Sequence, residues 1–447
     1  MRRVREDLLE GPVGPTLVRL TGPMVLAILS TSFSALVDAW FVGRLGSREL
    51  SVLGFSYPVI LVLTNLAMGL GVGTGSVVAR SLGAGAMEKV RPLVAHSLEL
   101  GLALSLGVGG LGLLTLSPLF RQLGATEEVL PLLRSYMAVW YLGLPVLFLA
   151  LVANSVVRST GDTRLSASAL IVTAVLGALI DPLLIFGWGP FPRLEVVGAA
   201  WAALIARAAG LAVSLWVLIR RDRLLGWKGS EGRLRSWSAV LGVAVPATIT
   251  RLAFPVSMAI ITGMVASYGP TAVAALGLCN RIETLLMVVV VALATALLPF
   301  VGQNWGAGRI GRVRQGIELS GLASLLWGGT IFLVMALAAP AVASLFSRDP
   351  QVVEVTSAYL RIVSLSYGFQ GISTVVASAF NAVNRPLASS AITLARMFAL
   401  YIPLAWLGSS LWGLTGVFVG ASTATVLTGV GAWIWGRRVF AGMIEDS

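Results

Sequence analysis

Apolar runs of about twenty residues recur along this chain from end to end, separated by short polar stretches. A helix of about twenty apolar residues covers the hydrocarbon core of a bilayer, so each run predicts one membrane-spanning helix. A transmembrane β-barrel would need short segments of alternating polarity instead, and the sequence lacks them. The twelve predicted helices cover residues 20–43, 52–78, 95–120, 131–156, 165–190, 196–220, 238–267, 273–300, 319–346, 354–381, 387–410 and 412–436.

The composition indicates an all-α polytopic membrane protein. Hydrophobic residues make up 57% of the chain and charged residues only 12%, whereas soluble domains contain about 25% charged residues. The net charge of +12 does not indicate nucleic-acid binding, because the basic residues stand mostly at the ends of apolar runs. The loops on one side, which contain Arg91, Arg221 and Arg314, hold most of them and are predicted to be cytoplasmic. An even helix count then places both termini in the cytoplasm, with the chain in the inner (cytoplasmic) membrane.

An internal repeat divides the chain into halves. The segment VARSLGAGAMEKVR at 78–91 matches VGQNWGAGRIGRVR at 301–314, and the same offset of 223 residues relates Pro23 to Pro246. Each half holds six helices, so the two lobes are expected to be related by an axis along the membrane normal. The predicted division is a cytoplasmic N-terminal segment 1–19, an N-lobe 20–221, a cytoplasmic linker 222–237, a C-lobe 238–436 and a cytoplasmic tail 437–447.

Two aspartates stand inside apolar runs of the first half, Asp38 in ALVDAWFVG and Asp181 in ALIDPLLIFG. A carboxylate in hydrocarbon is costly, so both are expected to face a polar cavity or a partner. Thr31 and Ser34 share one helical face with Asp38, because they precede it by seven and four residues. Asp181 is followed by Pro182, which predicts a locally irregular helix with carbonyl groups free to bind a cation or water.

The segments LVDAWFVGRLG, VANSVVRSTGDTR and IDPLLIFGWGPF, together with the GAG loops, resemble the multidrug and toxic compound extrusion (MATE) family from about Pro23 to Arg437. The resemblance implies the MATE/MOP fold, with two lobes in a V, and export of organic cations or amphipathic drugs in exchange for H⁺ or Na⁺. The N-lobe acids are closest to the DinF-like and archaeal branch. In that pattern, the positions that match Asp38, Asn154 and Asp181 form the ion-coupling cluster.

Two departures from the family pattern favour H⁺ as the coupling ion. Gly177 stands where the family commonly has Asn, and Ala203 stands near a position where Thr is often found. Both changes remove oxygen ligands, and a desolvated Na⁺ needs several, whereas a proton needs only a carboxylate. We therefore expect H⁺ coupling without a bound metal, and we keep Na⁺ at Asp38, Asn154 and Asp181 as the alternative. No other cofactor is expected, because the chain contains no nucleotide-binding phosphate loop.

Three further groups of residues carry expectations. Trp40 and Tyr57 are predicted to line the substrate cavity together with Thr31 and Ser34, because they are near Asp38 in the chain. In the C-lobe, a structural or gating charge network is predicted for Arg251, Arg281 and Glu283, since pairing is the usual way to tolerate charges in a membrane. Arg207 is expected to extend toward the membrane interface.

Two other functions are disfavoured. A flippase for a lipid-linked oligosaccharide is typical of the same superfamily, but the GAG repeat and the acidic N-lobe argue against it. A membrane-embedded transferase would need a paired-acid metal motif or a catalytic His. The only histidine, His96, lies beside Ser97 at the start of an apolar run, so the chain is not expected to be an enzyme. Two complete lobes in one chain make a functional monomer sufficient.

Overall fold

A computed structural model describes residues 8–226 and 232–445, and within these ranges the chain is helical without any β-strand. Most of the helices are long because their apolar runs match the thickness of a bilayer. The helices are α1 (Val13–Gly43), α2 (Ser47–Gly83), α3 (Met87–Gln122), α4 (Leu130–Leu142), α5 (Leu144–Ser159), α6 (Thr163–Phe186), α7 (Glu195–Trp216), α8 (Arg233–Ala266), α9 (Pro270–Leu286), α10 (Val288–Gly306), α11 (Ile310–Ser344), α12 (Pro350–Val363), α13 (Tyr367–Ala382), α14 (Pro386–Leu394) and α15 (Ile402–Glu445). Short π-helical turns follow α7 at Val217–Arg221 and α14 at Ala395–Tyr401.

The described residues contain ten helical stretches long and apolar enough to cross a bilayer, and the bent pair α4–α5 makes eleven. The last stretch, Pro386–Gly442, has 57 residues. A straight helix of that size would be about 85 Å long, nearly three times the hydrocarbon core of about 30 Å. Its backbone leaves the helical region at Trp412 and Gly413. Gly408 lies directly against Gly416. This stretch therefore turns back and crosses twice, which confirms the predicted twelve crossings.

The internal repeat is visible in the helix boundaries. Corresponding helices begin 223 residues apart, at Ser47 and Pro270, Met87 and Ile310, Leu144 and Tyr367, and Thr163 and Pro386. The residues before the first pair, Gly46 and Gly269, have φ angles of 146° and 101°. Side chains with a Cβ rarely adopt such angles, so glycine is needed at both turns.

The chain forms two compact units, and two helices contribute to both. The units are residues 22–248, and residues 8–21 together with 249–445. The division falls at Gly22 in α1 and at Thr248 in α8, rather than in the predicted linker. Each point is within two residues of a proline, Pro23 or Pro246. Proline removes a backbone hydrogen bond and can bend a helix, so both helices change unit where they are most easily bent.

The start of the chain is held against the second unit by Arg312. One of its Nη atoms donates to the carbonyl oxygens of Leu8 and Gly11 at 3.1 and 2.7 Å. Its Nε donates to the Oδ1 of Asn304 at 3.0 Å, and the Nδ2 of Asn304 donates to the Leu8 carbonyl at 3.2 Å. These bonds fix the direction in which the chain enters α1.

The hairpin of α6 and α7 forms much of the first unit's polar interior. Asp162 accepts a hydrogen bond from the Leu165 amide at the start of α6, and its other oxygen binds Arg221 at 2.7 Å. The cap and the ion pair therefore tie the end of one helix to the beginning of the other. The expectation of an irregular helix at Pro182 was wrong, because α6 remains helical through it.

Candidate functional site

A cavity of about 450 Å³ lies within the first unit, between α1, α2, α5, α6 and α7. Most of its wall is small or apolar, so the few polar side chains define its chemistry. Its polar lining residues are Thr31, Ser34, Asp38, Thr64, Asn154, Thr173, Asp181, Arg207 and Ser214. The cavity therefore brings together all three residues predicted to couple ions and both predicted polar neighbours on α1.

The two carboxylates share this cavity although 143 positions separate Asp38 and Asp181 in the sequence. Asp181 is only 3% exposed. The Oδ1 atom of Asp38 is buried and accepts no hydrogen bond from any described residue. The charges of the two acids interact electrostatically. Two close carboxylates in a poorly hydrated site cannot both remain charged without compensation, so this pair is suited to binding a cation or a proton.

Asn154 lines the cavity, but its amide is already engaged by the neighbouring helix. Its Nδ2 donates to the Ser166 carbonyl at 2.9 Å, and its Oδ1 accepts from the Ser166 hydroxyl at 2.9 Å. Arg158 donates to the same Oδ1 at 3.4 Å. Both side-chain groups of Asn154 therefore hold α5 against α6, and its oxygen has little capacity left for an ion.

We expect Asn154→Ala to lower stability more than any polar change on the cavity surface. It would leave the buried Ser166 hydroxyl without its acceptor and remove the side-chain hydrogen bond to the Ser166 carbonyl, which costs about 1–3 kcal/mol. The measurement is the melting temperature in detergent, with Ser168→Ala as control, because the Ser168 hydroxyl binds only the Leu165 carbonyl of its own helix. A variant as stable as that control, but unable to couple transport, would instead identify Asn154 as an ion ligand.

The two positions that depart from the family pattern, Gly177 and Ala203, both lie in the cavity wall. A Cβ atom at position 177 would lie 3.3 Å from the Oγ of Ser34 and 3.7 Å from the Cβ of Ala206. The first of these contacts is tight, so the Ser34 hydroxyl would have to move by a few tenths of an ångström, and a side chain there would enter the polar part of the cavity. The oxygen ligands that Asn and Thr would supply at these two positions are therefore absent from the cavity wall.

Arg207 also lines this cavity, so the expectation that it extends to the membrane interface was wrong. Its guanidinium carbon lies 4.7 Å from the centre of the Trp140 ring, within range of a cation–π contact. Its charge interacts with those of Asp38 and Asp181. Sequence reasoning missed it, although a signal was present: Ala203, Arg207, Gly210 and Ser214 share one face of α7.

Trp40 and Tyr57 do not line this cavity. Their side chains are 53% and 65% exposed. The Arg44 guanidinium carbon lies 3.8 Å from the centre of the Trp40 ring. Nearness to Asp38 in sequence was a poor guide because successive residues of a helix point in different directions. Their contact with substrate stays a prediction.

Glu283, a member of the predicted C-lobe charge network, has hydrogen-bond partners that the sequence did not indicate. Glu283 accepts hydrogen bonds from the Tyr359 hydroxyl at 2.9 Å and from the Gln370 amide at 3.4 Å. The basic group whose charge interacts with it is that of Arg396. Arg281 is exposed, and Arg251 lies on α8. The pairing of Glu283 with Arg251 or Arg281 stays a prediction.

Comparison with known proteins supports this description of the fold. The sequence profile of the MatE family matches residues 23–183 and 246–407, one match in each half of the repeat. The chain belongs to the MATE family. A FAD transporter of Shewanella oneidensis is 37% identical over 97% of both chains. A probable multidrug resistance protein of Bacillus subtilis, YoeA, is 24% identical over 95% of this chain and 94% of its own.

Solved structures of MATE transporters agree with the fold. The bent form of the Vibrio cholerae transporter VcmN superposes with a TM-score of 0.92 at 29% identity, over 98% of each chain. A MOP superfamily transporter of Pyrococcus furiosus, described as having a binding pocket of reverse polarity, gives a TM-score of 0.88 at 25% identity over 97% of each chain. This MATE protein is thus a multi-pass membrane transporter that exports compounds, and not an enzyme.

Proposed function

We propose that this MATE protein is a proton-coupled antiporter that exports small organic molecules, organic cations and amphipathic drugs among them, by alternating access. It works as a monomer in the inner (cytoplasmic) membrane, with both termini in the cytoplasm. The observation that carries the proposal is the cavity shared by Asp38 and Asp181. The N-lobe position of these acids is also the basis for assigning the chain to the DinF-like and archaeal branch.

The proposed cycle uses the charge of the two acids. Facing outward, the cavity takes up a proton at Asp38 or Asp181, and the neutralised acid no longer attracts a cationic substrate. Facing inward, the cavity loses the proton and regains affinity for the substrate. A proton and a substrate can be exchanged in this way only because each favours a different state of the same site.

The choice of H⁺ rather than Na⁺ rests on the ligands that the cavity offers. Gly177 and Ala203 present no oxygen from their side chains, and the Asn154 oxygen already accepts two hydrogen bonds. A buried Na⁺ would lose its hydration shell without enough oxygen atoms to replace it. A proton forms a covalent bond to one carboxylate oxygen and needs no such shell.

A second candidate for the substrate is FAD or a similar aromatic nucleotide. The observation that favours it is the 37% identity to the Shewanella FAD transporter, against 24% and 25% to multidrug proteins. The cation in the cavity wall, Arg207, is compatible with a substrate that carries negative charge.

The test is transport in proteoliposomes under an imposed pH gradient and then an imposed Na⁺ gradient, with ethidium and FAD as separate fluorescent probes. Movement of either probe driven by the pH gradient alone is the expected result, and the probe that moves identifies the substrate class. Movement driven by Na⁺ alone would replace the proton with Na⁺ as coupling ion. No movement of either probe under both gradients would favour a flippase for a lipid-linked substrate.

A further inference from the structure

Arg207 contributes a permanent positive charge to the cavity that Asp38 and Asp181 also line. It lies on α7 and stacks on Trp140 of α4, where its charge interacts with Asp38 of α1 and Asp181 of α6. Tyr136 of α4 is the other titratable group that interacts with it. The remaining walls, α2 and α5, present only uncharged side chains to the cavity.

The net charge of the site follows from Arg207, Asp38 and Asp181. Arginine keeps its proton under all ordinary conditions, so the guanidinium contributes +1 throughout the transport cycle. With both carboxylates ionised the site carries −1, and one bound proton makes it neutral. Without Arg207 the same two acids would carry −2, the charge that favours a metal cation together with further oxygen ligands.

The guanidinium is held in place by aromatic stacking rather than by a carboxylate. Within the described part of the chain, its interaction with Asp38 and Asp181 is one between charges, without a hydrogen bond to either acid. Both carboxylates are therefore free to exchange protons, while the positive charge beside them does not move away. A fixed cation weakens the binding of H⁺ and of Na⁺ alike. A proton still binds, because it forms a covalent bond to a carboxylate oxygen, whereas Na⁺ lacks the oxygen ligands in this cavity that would offset the repulsion and the loss of its hydration shell.

We propose that Arg207 determines the ion specificity of the coupling site, acting as a built-in counter-cation that makes the N-lobe acids respond to H⁺ and not to Na⁺. This inference rests on the proposed function, because it explains how the antiporter selects the proton. It assigns to Arg207 the electrostatic role that a bound Na⁺ has in a sodium-coupled site. Gly177 contributes to the same selection, since its lack of a side chain withholds an oxygen from the cavity.

The experiment compares the wild type with Arg207→Met, Arg207→Lys and the double variant Arg207→Met/Gly177→Asn in proteoliposomes. Arg207→Met keeps the length of the side chain and removes its charge, and Arg207→Lys restores the charge. Probe transport is measured as a function of pH without Na⁺, and again under a Na⁺ gradient at constant pH. The melting temperature of each variant confirms that it is folded.

Probe transport by the wild type and by Arg207→Lys is expected to show the same pH dependence and not to respond to Na⁺. In Arg207→Met the pH of half-maximal transport is expected to rise by about one unit, because a nearby opposite charge changes the proton affinity of an acid by about one to three log units. In the double variant, transport driven by Na⁺ is expected to increase about tenfold over the wild type, for the same electrostatic reason.

A second readout does not depend on the substrate. A hydrophobic carbodiimide reacts with protonated carboxyl groups in membrane sites, and mass spectrometry locates the modified residue. Na⁺ is expected to leave the labelling of Asp38 and Asp181 unchanged in the wild type and to reduce it in the double variant. This assay also applies to a variant that has lost transport.

The outcomes separate the two proposals. If Na⁺ drives probe transport by the wild type, or reduces the carbodiimide labelling of its two acids, both the proton coupling and the role of Arg207 are wrong. If the pH gradient drives transport by the wild type, but Arg207→Met keeps the wild-type pH profile or the double variant stays insensitive to Na⁺ in both assays, proton coupling stands and the role of Arg207 is refuted. A pH shift in Arg207→Met that is absent from Arg207→Lys, together with a Na⁺ response of the double variant, supports both proposals.

Discussion

Asp38→Asn is expected to reduce proton-driven transport to the background of empty vesicles while the protein still folds. The substitution keeps the shape of the side chain and removes the group that binds the proton. Asp38 has a buried oxygen that no described residue contacts by a hydrogen bond, so no structural contact at that atom is lost. Removing one of two neighbouring negative charges also relieves a cost of burial, so the melting temperature is expected to stay the same or to rise.

The measurement is uptake of the transported probe under a pH gradient, with the melting temperature recorded on the same preparation. Asp349→Asn is a matched control, because Asp349 caps α12 through the amide of Gln351 and asparagine caps equally well. Proton-driven export at the wild-type rate by the Asp38 variant would contradict the coupling role. Loss of folding would show that Asp38 is a structural residue.

Gly416→Ala is expected to produce the largest loss of stability among single methyl additions in the C-terminal hairpin. A Cβ atom at this position would lie 1.8 Å from the carbonyl oxygen of Gly408. The obstacle is backbone, so no side-chain rotation can relieve it, and the two arms of the hairpin would have to separate. Overpacking of a core costs about 1–3 kcal/mol and can exceed this when the backbone must move. We expect the melting temperature to fall by at least about 1–3 °C, or the protein to fail to fold.

The control for this variant is Gly431→Ala on the same helix. No atom lies within 4 Å of a Cβ at position 431. Alanine favours a helix over glycine by about 0.5–1 kcal/mol, so this change is expected to be neutral or slightly stabilising. Equal melting temperatures for the two variants would show that Gly408 and Gly416 are not in contact, and that the chain does not turn back at Trp412 and Gly413.

The chain's cavity illustrates how far local sequence patterns reach. Asp38 and Asp181 could be predicted because an acid in an apolar run is costly wherever the helix lies, and this argument needs no knowledge of neighbours. Arg207 satisfied the same criterion and was still misplaced, because a long basic side chain has two ways to avoid hydrocarbon: it can extend to the membrane interface or face a polar cavity. Only the packing of α7 against α4 and α6 decides between them.

The sequence by itself determined the class of protein, the number of crossings, the repeat and the pair of acids, because these depend on the length and polarity of segments that meet the bilayer independently. The tertiary structure decided three further features. It joined the acids to Arg207, engaged Asn154 with Ser166, and paired Glu283 with Tyr359 and Gln370. Each of these contacts joins two different helices. It depends on which faces of the helices pack together and on which rotamers the side chains adopt, rather than on the sequence of any one helix.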